Sequence, residues 1–480
     1  MTTDIREAPA HAAAAGPDPS EKFSLIEYVA VVGILGGAFM VVLDFFVVIV
    51  ALPSIQRELG ATAGTLGLVV AAYAAAMAAG LVAGGRLGDI FGRKRLLLIG
   101  LAAFTAASLG CGLARSPLEL VAMRVLQGLA GALVQPQVLA LLGVGFAQAK
   151  RAQVFAWYAM AMGVAGVTAQ LIGGLVIEAD VGGLGWRGCF LINLPIGLTA
   201  LALVGLAVAE TDRRRHLSLD LPGIALIGAT LALLVLALTQ GRESGWPAWS
   251  LAALAAAGLC AAGFAWHERE RGRDGGVPMF PSRLLTAQGF ATGVLAVFVF
   301  YGGVASFYFA LGLHLQQALG LAPVASGLMF AVLAGAFFAA SMLGARVSSA
   351  NRNACMIAGA AVMAFGHLWQ LLVDVNGAGL PWLVPGLLAQ GAGIGMVMAP
   401  LVASVLAAAP AQDAGVASGL LAAVQQVGNA LGVAVISAVL ALAPPNAAAG
   451  AVLSGFSLGM LYLVAVSAAL SLVLWRRPGR

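Results

Sequence analysis

The stretch that decides the fold is Gly85-Arg86-Leu87-Gly88-Asp89-Ile90-Phe91-Gly92-Arg93-Lys94-Arg95. It holds one acid, four basic residues and three glycines, and it lies between two long apolar runs. Only 9% of the 480 residues are charged, so such a cluster predicts a short aqueous loop between two membrane spans. The glycines permit a tight turn and close packing of the flanking helices.

The composition excludes an ordinary soluble protein. Hydrophobic residues make up 61% of the chain. A soluble protein needs a polar exterior, and this chain has too few polar residues to provide one. The chain also has 63 glycines, and small residues let helices approach closely within lipid. The predicted class is an all-α polytopic protein embedded in a lipid bilayer.

Apolar runs of about 20 residues, the length that crosses a bilayer, define the predicted spans. Fourteen such runs occur, at 26–52, 64–82, 96–114, 118–147, 153–177, 187–209, 217–240, 248–266, 288–313, 324–345, 354–373, 381–407, 416–442 and 454–475. With both termini inside, 20 Lys and Arg residues fall on the cytoplasmic side and 4 on the other. Cytoplasmic loops favour these residues, so we expect both termini in the cytoplasm. The net charge of +5 reflects this topology and does not indicate nucleic-acid binding.

Two charged residues lie well inside the predicted spans, away from the span ends. Asp44 is well inside the first span, where a carboxylate costs a few kcal/mol and needs a function or a partner. Arg124 is in the fourth span, which runs antiparallel to the first, and its side chain is long enough to reach the level of Asp44. A guanidinium favours an ionised carboxylate and exclusion of water favours a protonated one, so the pair predicts a proton-exchanging site. A structural hydrogen bond or an arginine–carbonyl anchor is the alternative.

Three segments resemble signatures of the major facilitator superfamily, in its branch of drug:proton antiporters with fourteen spans. Leu43–Pro53 resembles the first-span signature of that branch, residues 85–95 the loop motif, and Arg124–Ala132 the fourth-span motif. Later segments that are also similar to the branch are 219–223, 315–320, 393–400 and 415–429. The similarity extends over about residues 26–475.

The resemblance implies a major facilitator fold, with two six-helix bundles around a central cavity and two helices inserted between them. The corresponding division is a disordered cytoplasmic tail (1–25), an N-terminal six-helix bundle (26–209), two inserted helices with a cytoplasmic linker (210–287), a C-terminal six-helix bundle (288–475) and a cytoplasmic tail (476–480).

The resemblance further implies a proton-coupled exporter of amphiphilic small molecules in a prokaryotic cytoplasmic (inner) membrane, working by alternating access. Asp44 would carry the proton and Arg124 would tune it. The gating loop would use Gly85, Asp89, Gly92 and Arg93, with Asp89 and Arg93 bridging the inner ends of neighbouring helices. The residues predicted to line the substrate cavity are Gln127, Gln170, Phe307, Gln390, Gln425 and Asn429.

The sequence predicts a monomer with no cofactor, no metal site and no enzyme active site. No lysine follows a glycine-rich strand–turn as in a phosphate-binding loop, and no metal-ligand spacing or nucleophile–base pair is visible. An ion gradient is then the expected energy source for uphill transport.

Two positions depart from the branch pattern. Ile49 stands where the first-span signature has Asn, and Ala169-Gln170 stands where the fifth-span motif has Gly-Pro. The kink that proline imposes is therefore not expected, and Gln170 adds an amide that could face the cavity. A dedicated exporter of one endogenous metabolite or lipid, and a uniporter or symporter, remain alternatives on the same scaffold.

Overall fold

The computed structural model describes residues 23–210, 220–243, 245–273, 288–344, 347, 351–409, 414–442 and 454–476. Within these ranges, 13 helices are long and apolar enough to span a membrane, or 14 if one bent helix is counted as a single span. This confirms the predicted fold class. The predicted tails and linker fall largely on residues 1–22, 274–287 and 477–480, which lie outside the described residues.

We number the helices α1 to α14. The first six are α1 (Leu25–Leu59), α2 (Ala63–Phe91), α3 (Arg93–Leu113), α4 (Pro117–Val144), α5 (Gln148–Ala179) and α6 (Asn193–Ala207), the last preceded by the short helical turn Gly188–Leu191. The inserted pair are α7 (Leu221–Glu243) and α8 (Ala248–Arg273). The remaining six are α9 (Phe290–Leu313), α10 (Pro323–Gly344), α11 (Arg352–Val375), α12 (Leu383–Ala408), α13 (Ala414–Leu440) and α14 (Gly455–Trp475), and a π-helical segment, His314–Ala318, extends α9.

Several helices begin at a side-chain cap. Ser24 caps α1 in a reciprocal capping box with Glu27, and Thr62, Ser116 and Ser454 cap α2, α4 and α14. Each of these hydroxyls accepts a hydrogen bond from a backbone N–H in the first turn, a group that lacks an intrahelical partner. The caps therefore fix where these spans start.

The predicted loop at 85–95 is wrong in its secondary structure. Gly85–Phe91 forms the last turns of α2, and α3 begins at Arg93, so Gly92 alone separates the two helices. Gly92 has φ +101°, in the left-handed region that favours glycine. The apolar run marks only the hydrocarbon thickness, and the helical backbone continues past it because its hydrogen bonds do not depend on side-chain polarity.

The expectation that α5 lacks a kink is also wrong. Its segments Gln153–Gly166 and Thr168–Ala179 meet at 43° although no proline is present. The Thr168 hydroxyl donates to the Val164 carbonyl at 2.8 Å, a contact that bends helices. Glycine near the break adds backbone freedom. The bend expected of the missing proline is thus produced by other residues.

Helix packing divides the molecule into two halves. In the first half α1 packs on α5 and α6, and α4 packs on α2 and α3. In the second half α9 packs on α13 and α14, α12 on α10 and α11, and α11 on α14. The inserted helices pack on each other, and α7 also contacts α2 and α13. The halves meet through the pairs α2–α13 and α5–α10.

Contacts between the halves hold one face of the molecule closed. Successive helices alternate in direction, so the end of α1 and the start of α2 lie on one face, which we call the α1–α2 face. There, Gln316 Nε2 donates to the Val50 carbonyl at 3.0 Å, and Gln317 Nε2 donates to Gln56 Oε1 at 2.6 Å. At the same face α5 and α10 pack so closely that a Cβ at Gly174 would lie 2.5 Å from the Pro323 carbonyl oxygen.

Candidate functional site

The site is centred on Asp44, in the middle of α1. Its side chain has no solvent exposure and lies against α4 and α6 of the first half. The flanking residues of α1 are large and apolar, and they are buried with it. Whether a carboxyl group at this buried position is charged or neutral depends on the polar groups that surround it.

Three side chains donate hydrogen bonds to the Asp44 carboxylate. Arg124 Nη1 binds Oδ2, and the amides of Gln127 and Asn193 donate to Oδ1 at 2.7 and 2.8 Å. Arg124 and Gln127 come from α4, one turn apart, and Asn193 begins α6. The structure therefore brings Asp44 and Arg124 together as the sequence predicted, in a pair that is fully buried on both sides.

Arg124 is held by further contacts. Its Nε donates to the Val69 carbonyl at 2.9 Å, and its Nη1 also lies 2.7 Å from Gln127 Oε1. The guanidinium carbon stands 4.2 Å from the centroid of the Tyr73 ring, a cation–π contact. The Tyr73 hydroxyl donates to the Val41 carbonyl at 3.2 Å, which fixes the ring against α1. The guanidinium thus keeps partners on α2 even if it leaves the carboxylate.

Gln127 does not lie where the sequence predicted. Its amide nitrogen donates to both Asp44 and Ser108, each at 2.7 Å, and its oxygen accepts from Arg124. These bonds hold Gln127 inside the first half, so it belongs to the Asp44 network and not to a surface between the halves. Its polar atoms are already satisfied there.

The sequence prediction missed Asn193 and Ser108. Ser108 Oγ accepts from the amides of both Gln127 and Asn193, the latter at 3.3 Å. A polar amide within the apolar run Phe190-Leu191-Ile192-Asn193-Leu194 was a signal that could have identified Asn193. Ser108 gave no comparable signal, because serine is common in membrane helices.

This arrangement suits a carboxyl group that changes its protonation state. Asn193 Oδ1 has no hydrogen-bond partner among the described residues. An amide carries both a donor and an acceptor, so rotation of the Asn193 side chain would offer an oxygen to a protonated Asp44. Within the described residues, no cluster of His, Cys, Asp and Glu could hold a metal ion.

The predicted gating residues meet at the junction of α2 and α3. Arg93 donates to Asp89 Oδ1 from Nη2 at 2.8 Å and from Nε at 3.2 Å, across Gly92. Glu210, which the sequence did not single out, accepts from the backbone N–H groups of Lys94 and Arg95 at 3.1 and 3.2 Å. A carboxylate at a helix N-terminus stabilises the start of α3.

The three glycines of this motif differ in how closely other atoms approach them. A Cβ at Gly92 would lie 2.7 Å from the Glu210 carboxyl group, and one at Gly88 would lie 2.0 Å from Gln137 Oε1. At Gly85 the nearest atom, Pro136 Cβ, is an ordinary 3.8 Å away. Both close atoms are ends of flexible side chains, so the firm requirement for glycine is at Gly92, through its φ of +101°. Gly85 does not support the tight approach predicted for it.

A second polar cluster ties α7 to α8 beside the membrane. Asp220 Oδ1 accepts from the Gly223 N–H at 3.0 Å and lies 2.7 Å from His267 Nε2 and 3.3 Å from Arg271 Nη1. Burial raises the pKa of Asp220, but the bonds from His267 and Gly223 and the charge of Arg271 outweigh it. The net result is a pKa below the ordinary value.

Aromatic side chains from both halves meet between α1, α9 and α10. The ring of Tyr308 lies 5.3 Å from that of Phe46 and 5.3 Å from that of Phe330. Gln170 is fully buried on the adjoining α5, and neither of its amide atoms has a partner among the described residues. Ser326 Oγ on α10 is likewise buried without one. We call Phe46, Tyr308, Phe330 and Gln170 the inter-half cluster.

The other predicted cavity residues separate into two groups. Phe307 and Gln390 are fully buried within the second half, where the Phe307 ring lies 5.3 Å from that of His367. Gln425 and Asn429 are half-buried on α13, and Asn429 donates to Gln426 Oε1 at 2.9 Å. Because α13 packs on α2, Gln425 and Asn429 lie on a helix at the junction of the halves, whereas Phe307 and Gln390 are enclosed by their own bundle.

Comparisons with known proteins identify the family. The family model described as the Major Facilitator Superfamily matches residues 34–267. The chain is 38% identical to the "Probable actinorhodin transporter" of Streptomyces coelicolor, over 88% of this chain and 73% of that protein. It is 36% identical to a cephamycin export protein of Amycolatopsis lactamdurans, over 83% and 82% of the two chains.

A solved structure gives independent support for the fold. A crystal structure of a D-xylose–proton symporter superposes with a TM-score of 0.68 and 16% identity, over 95% of this chain and 99% of that one. The apolar helices and the bacterial relatives show a multi-pass protein of the bacterial inner membrane. The similarity to bacterial relatives over most of both chains shows that this chain belongs to the Major Facilitator Superfamily.

Proposed function

We propose that this protein exports amphiphilic small molecules in exchange for protons, by alternating access of its two halves. The observation that carries the proposal is the fully buried Asp44 carboxylate, bound by Arg124 and by amides of two helices. An intramembrane acid with a cationic partner is typical of proton relays in transporters. The names of the relatives, an actinorhodin transporter and a cephamycin export protein, support export as the direction.

Proton exchange would work through the charge of Asp44. In the ionised state the carboxylate holds α4 through Arg124 and α6 through Asn193. A proton removes the ion pair, and the guanidinium then keeps its contacts with Val69, Tyr73 and Gln127. Protonation thereby loosens α1 from α4, while Asn193 on α6 can rotate to accept a hydrogen bond from the protonated carboxyl group. Alternating access needs a change of helix packing of this kind, coupled to an ion.

Substrate would bind at the inter-half cluster, where both halves contribute side chains. Phe46, Tyr308 and Phe330 offer ring faces for an apolar body, and Gln170 offers an unpartnered donor and acceptor. The acid deepest in the spans, Asp44, is already bound to Arg124. A dication would therefore find little negative charge, and neutral, zwitterionic or monocationic amphiphiles fit better.

The gating loop would hold the cytoplasmic ends of α2 and α3 through Asp89, Arg93 and the tight turn at Gly92. The excess of Lys and Arg in alternate loops supports cytoplasmic termini and an extracellular α1–α2 face. In that orientation the structure is closed toward the outside. We further propose a monomer with functional units at 26–209, 210–287 and 288–475.

The test is proton movement in proteoliposomes that contain a pH-sensitive dye. Amphiphiles are added against an imposed pH gradient to wild type, to Asp44→Asn and to Glu119→Gln, a control that removes a carboxylate from the start of α4. We expect substrate-triggered proton release in wild type and in the control, and none in Asp44→Asn. Release that survives in Asp44→Asn contradicts the role of Asp44.

The same assay decides between export coupled to protons and the alternatives. If labelled substrate equilibrates and no protein variant moves protons, the protein is a uniporter or a lipid translocator. Gln170, which replaces the proline of the family motif, favours a dedicated exporter of one metabolite as the second candidate, because a buried amide selects for a matching polar group. A response to one compound of a chemically varied panel would support that candidate.

A further inference from the structure

The π-helical segment His314–Ala318 joins the second half to the closed α1–α2 face. Two of its side chains, Gln316 and Gln317, make the hydrogen bonds to α1 that hold the halves together. His314, in the same segment, is turned instead toward α11 and α14. π-helical turns are rare and often mark functional sites. His314 and the two glutamines that reach α1 therefore belong to one short backbone segment.

His314 lies beside a carboxylate. Its Nε2 is 3.8 Å from Asp374 Oδ1, at the end of α11, and its ring stacks on Phe456 with centroids 3.8 Å apart. Asp374 Oδ2 accepts hydrogen bonds from Ser457 Oγ at 2.5 Å and from Ser454 Oγ, both at the start of α14. These donors favour the ionised carboxylate, whose charge attracts a proton to His314, whereas burial of the imidazole among α11 and α14 opposes the charged form.

Within the described residues of the second half, Asp374 is the acid that lies beside His314. Between residues 288 and 475 the sequence has two acids, Asp374 and Asp413, and two histidines, His314 and His367. In the sequence, the segments 319–322, 376–382 and 441–453, which connect helices of the second half, contain no Asp, Glu, Lys, Arg or His. The α1 groups bonded to the segment, the Val50 carbonyl and the Gln56 amide, are uncharged. Arg57 and Glu58, which follow Gln56 on α1, are bonded instead to Ser54 and to Arg187. Asp374 is therefore the charged group that the structure places against His314.

We propose that His314 and Asp374 form a second proton-binding site, separate from Asp44, whose occupation closes the α1–α2 face. A proton on His314 turns the contact with Asp374 into an ion pair. The pair holds the π-helical segment against α11 and α14, where Gln316 and Gln317 reach α1. Loss of the proton removes that attraction and releases the two hydrogen bonds. The inference rests on the proposed function in one respect, the side of the membrane from which the proton comes.

The test measures the opening of this face directly. Spin labels are placed at Val181 and Leu442, exposed positions on the two halves at this face, after replacement of the four native cysteines. Distances are measured in nanodiscs at pH 8 and pH 5.5. Coupling between sites in proteins is typically 5- to 150-fold, so we expect acid to raise the ratio of closed to open molecules about tenfold.

The variants His314→Gln and Asp374→Asn should lose this shift. His267→Gln is the matched control, because it removes the histidine of the His267–Asp220 pair at the opposite face and should retain the shift. If Asp374→Asn fails to fold, His314→Gln alone decides. A shift of wild-type size in His314→Gln overturns the proposal, as does the absence of any shift in wild type.

The two proposals fail in different ways. The distance measurement needs no transport, and it is repeated in the Asp44→Asn background, where the acid shift should persist. Loss of the shift in Asp44→Asn alone would assign it to Asp44 and overturn the second site. Absence of proton movement in proteoliposomes, with a shift that depends on His314, would reject the proposed antiport and leave the second site standing.

Discussion

Replacing Arg124 with Met tests whether the buried ion pair organises the first half. The side chain has no solvent exposure, and its removal leaves the Asp44 carboxylate buried with two neutral donors, Gln127 at 2.7 Å and Asn193 at 2.8 Å. Removing one partner of a buried pair costs about 3–5 kcal/mol, because the remaining charge is uncompensated. The loss of the packing of Arg124 on Tyr73 adds to this cost.

The double variant Asp44→Asn/Arg124→Met separates the charge effect from the packing effect. It has no buried charge, and the new amide retains an oxygen that accepts from Gln127 and Asn193. Replacing both partners of a buried pair by neutral groups is often close to neutral in stability. We therefore expect the double variant to recover at least about 2 kcal/mol of what Arg124→Met loses.

The assay is equilibrium unfolding in mixed detergent–SDS micelles at pH 7, for wild type, both single variants and the double variant. Arg115→Met is the control, because Arg115 is exposed before α4 and its loss should change stability by less than about 0.5 kcal/mol. Additive effects of the two single substitutions would refute the reasoning. So would an Arg124→Met protein as stable as the control.

Three further predictions concern packing, pH and helix geometry. Gly84→Ala should destabilise the protein by about 1–3 kcal/mol in the same assay, since a Cβ would lie 2.1 Å from the Ala132 carbonyl oxygen, whereas Gly143→Ala meets open space and should not. Asp220→Asn should cost about 1.5–3 kcal/mol at pH 7. Because the pKa of Asp220 is lowered in the folded state, its contribution is present at neutral pH and is lost as pH falls through that pKa, so unfolding curves of wild type and variant should converge at strongly acidic pH. Gln170→Pro should fold with wild-type yield in size-exclusion chromatography, because α5 is already bent by 43° just before this position; an aggregated product would show that the bend is not of the kind that proline makes.

The sequence predicted the number of spans and the central ion pair for the same reason. A charge or a break in an apolar run is costly in lipid, so it stands out wherever it is retained. Asp44 and Arg124 were therefore visible as isolated charges in apolar runs, and the structure places them in contact. The motif around Asp89 and Arg93 was visible in the same way, although its backbone proved to be helical up to Gly92.

Neutral polar residues were harder to place. Asn193 and Ser108 complete the Asp44 network, and Gln127 belongs to it instead of to a surface between the halves. One hydroxyl or amide in a membrane helix costs little, so the sequence does not say toward which neighbour it is turned. Only the packing of α1 against α3, α4 and α6 settles that.

The sequence by itself determined that the chain crosses a bilayer about fourteen times and where its few charges lie, because transfer of each segment into lipid depends on that segment alone. The tertiary structure decided which polar groups meet. It bent α5 without proline, closed the α1–α2 face through the π-helical segment, and placed His314 beside Asp374. These features depend on contacts between helices distant in the chain, and such contacts leave no local pattern in the sequence.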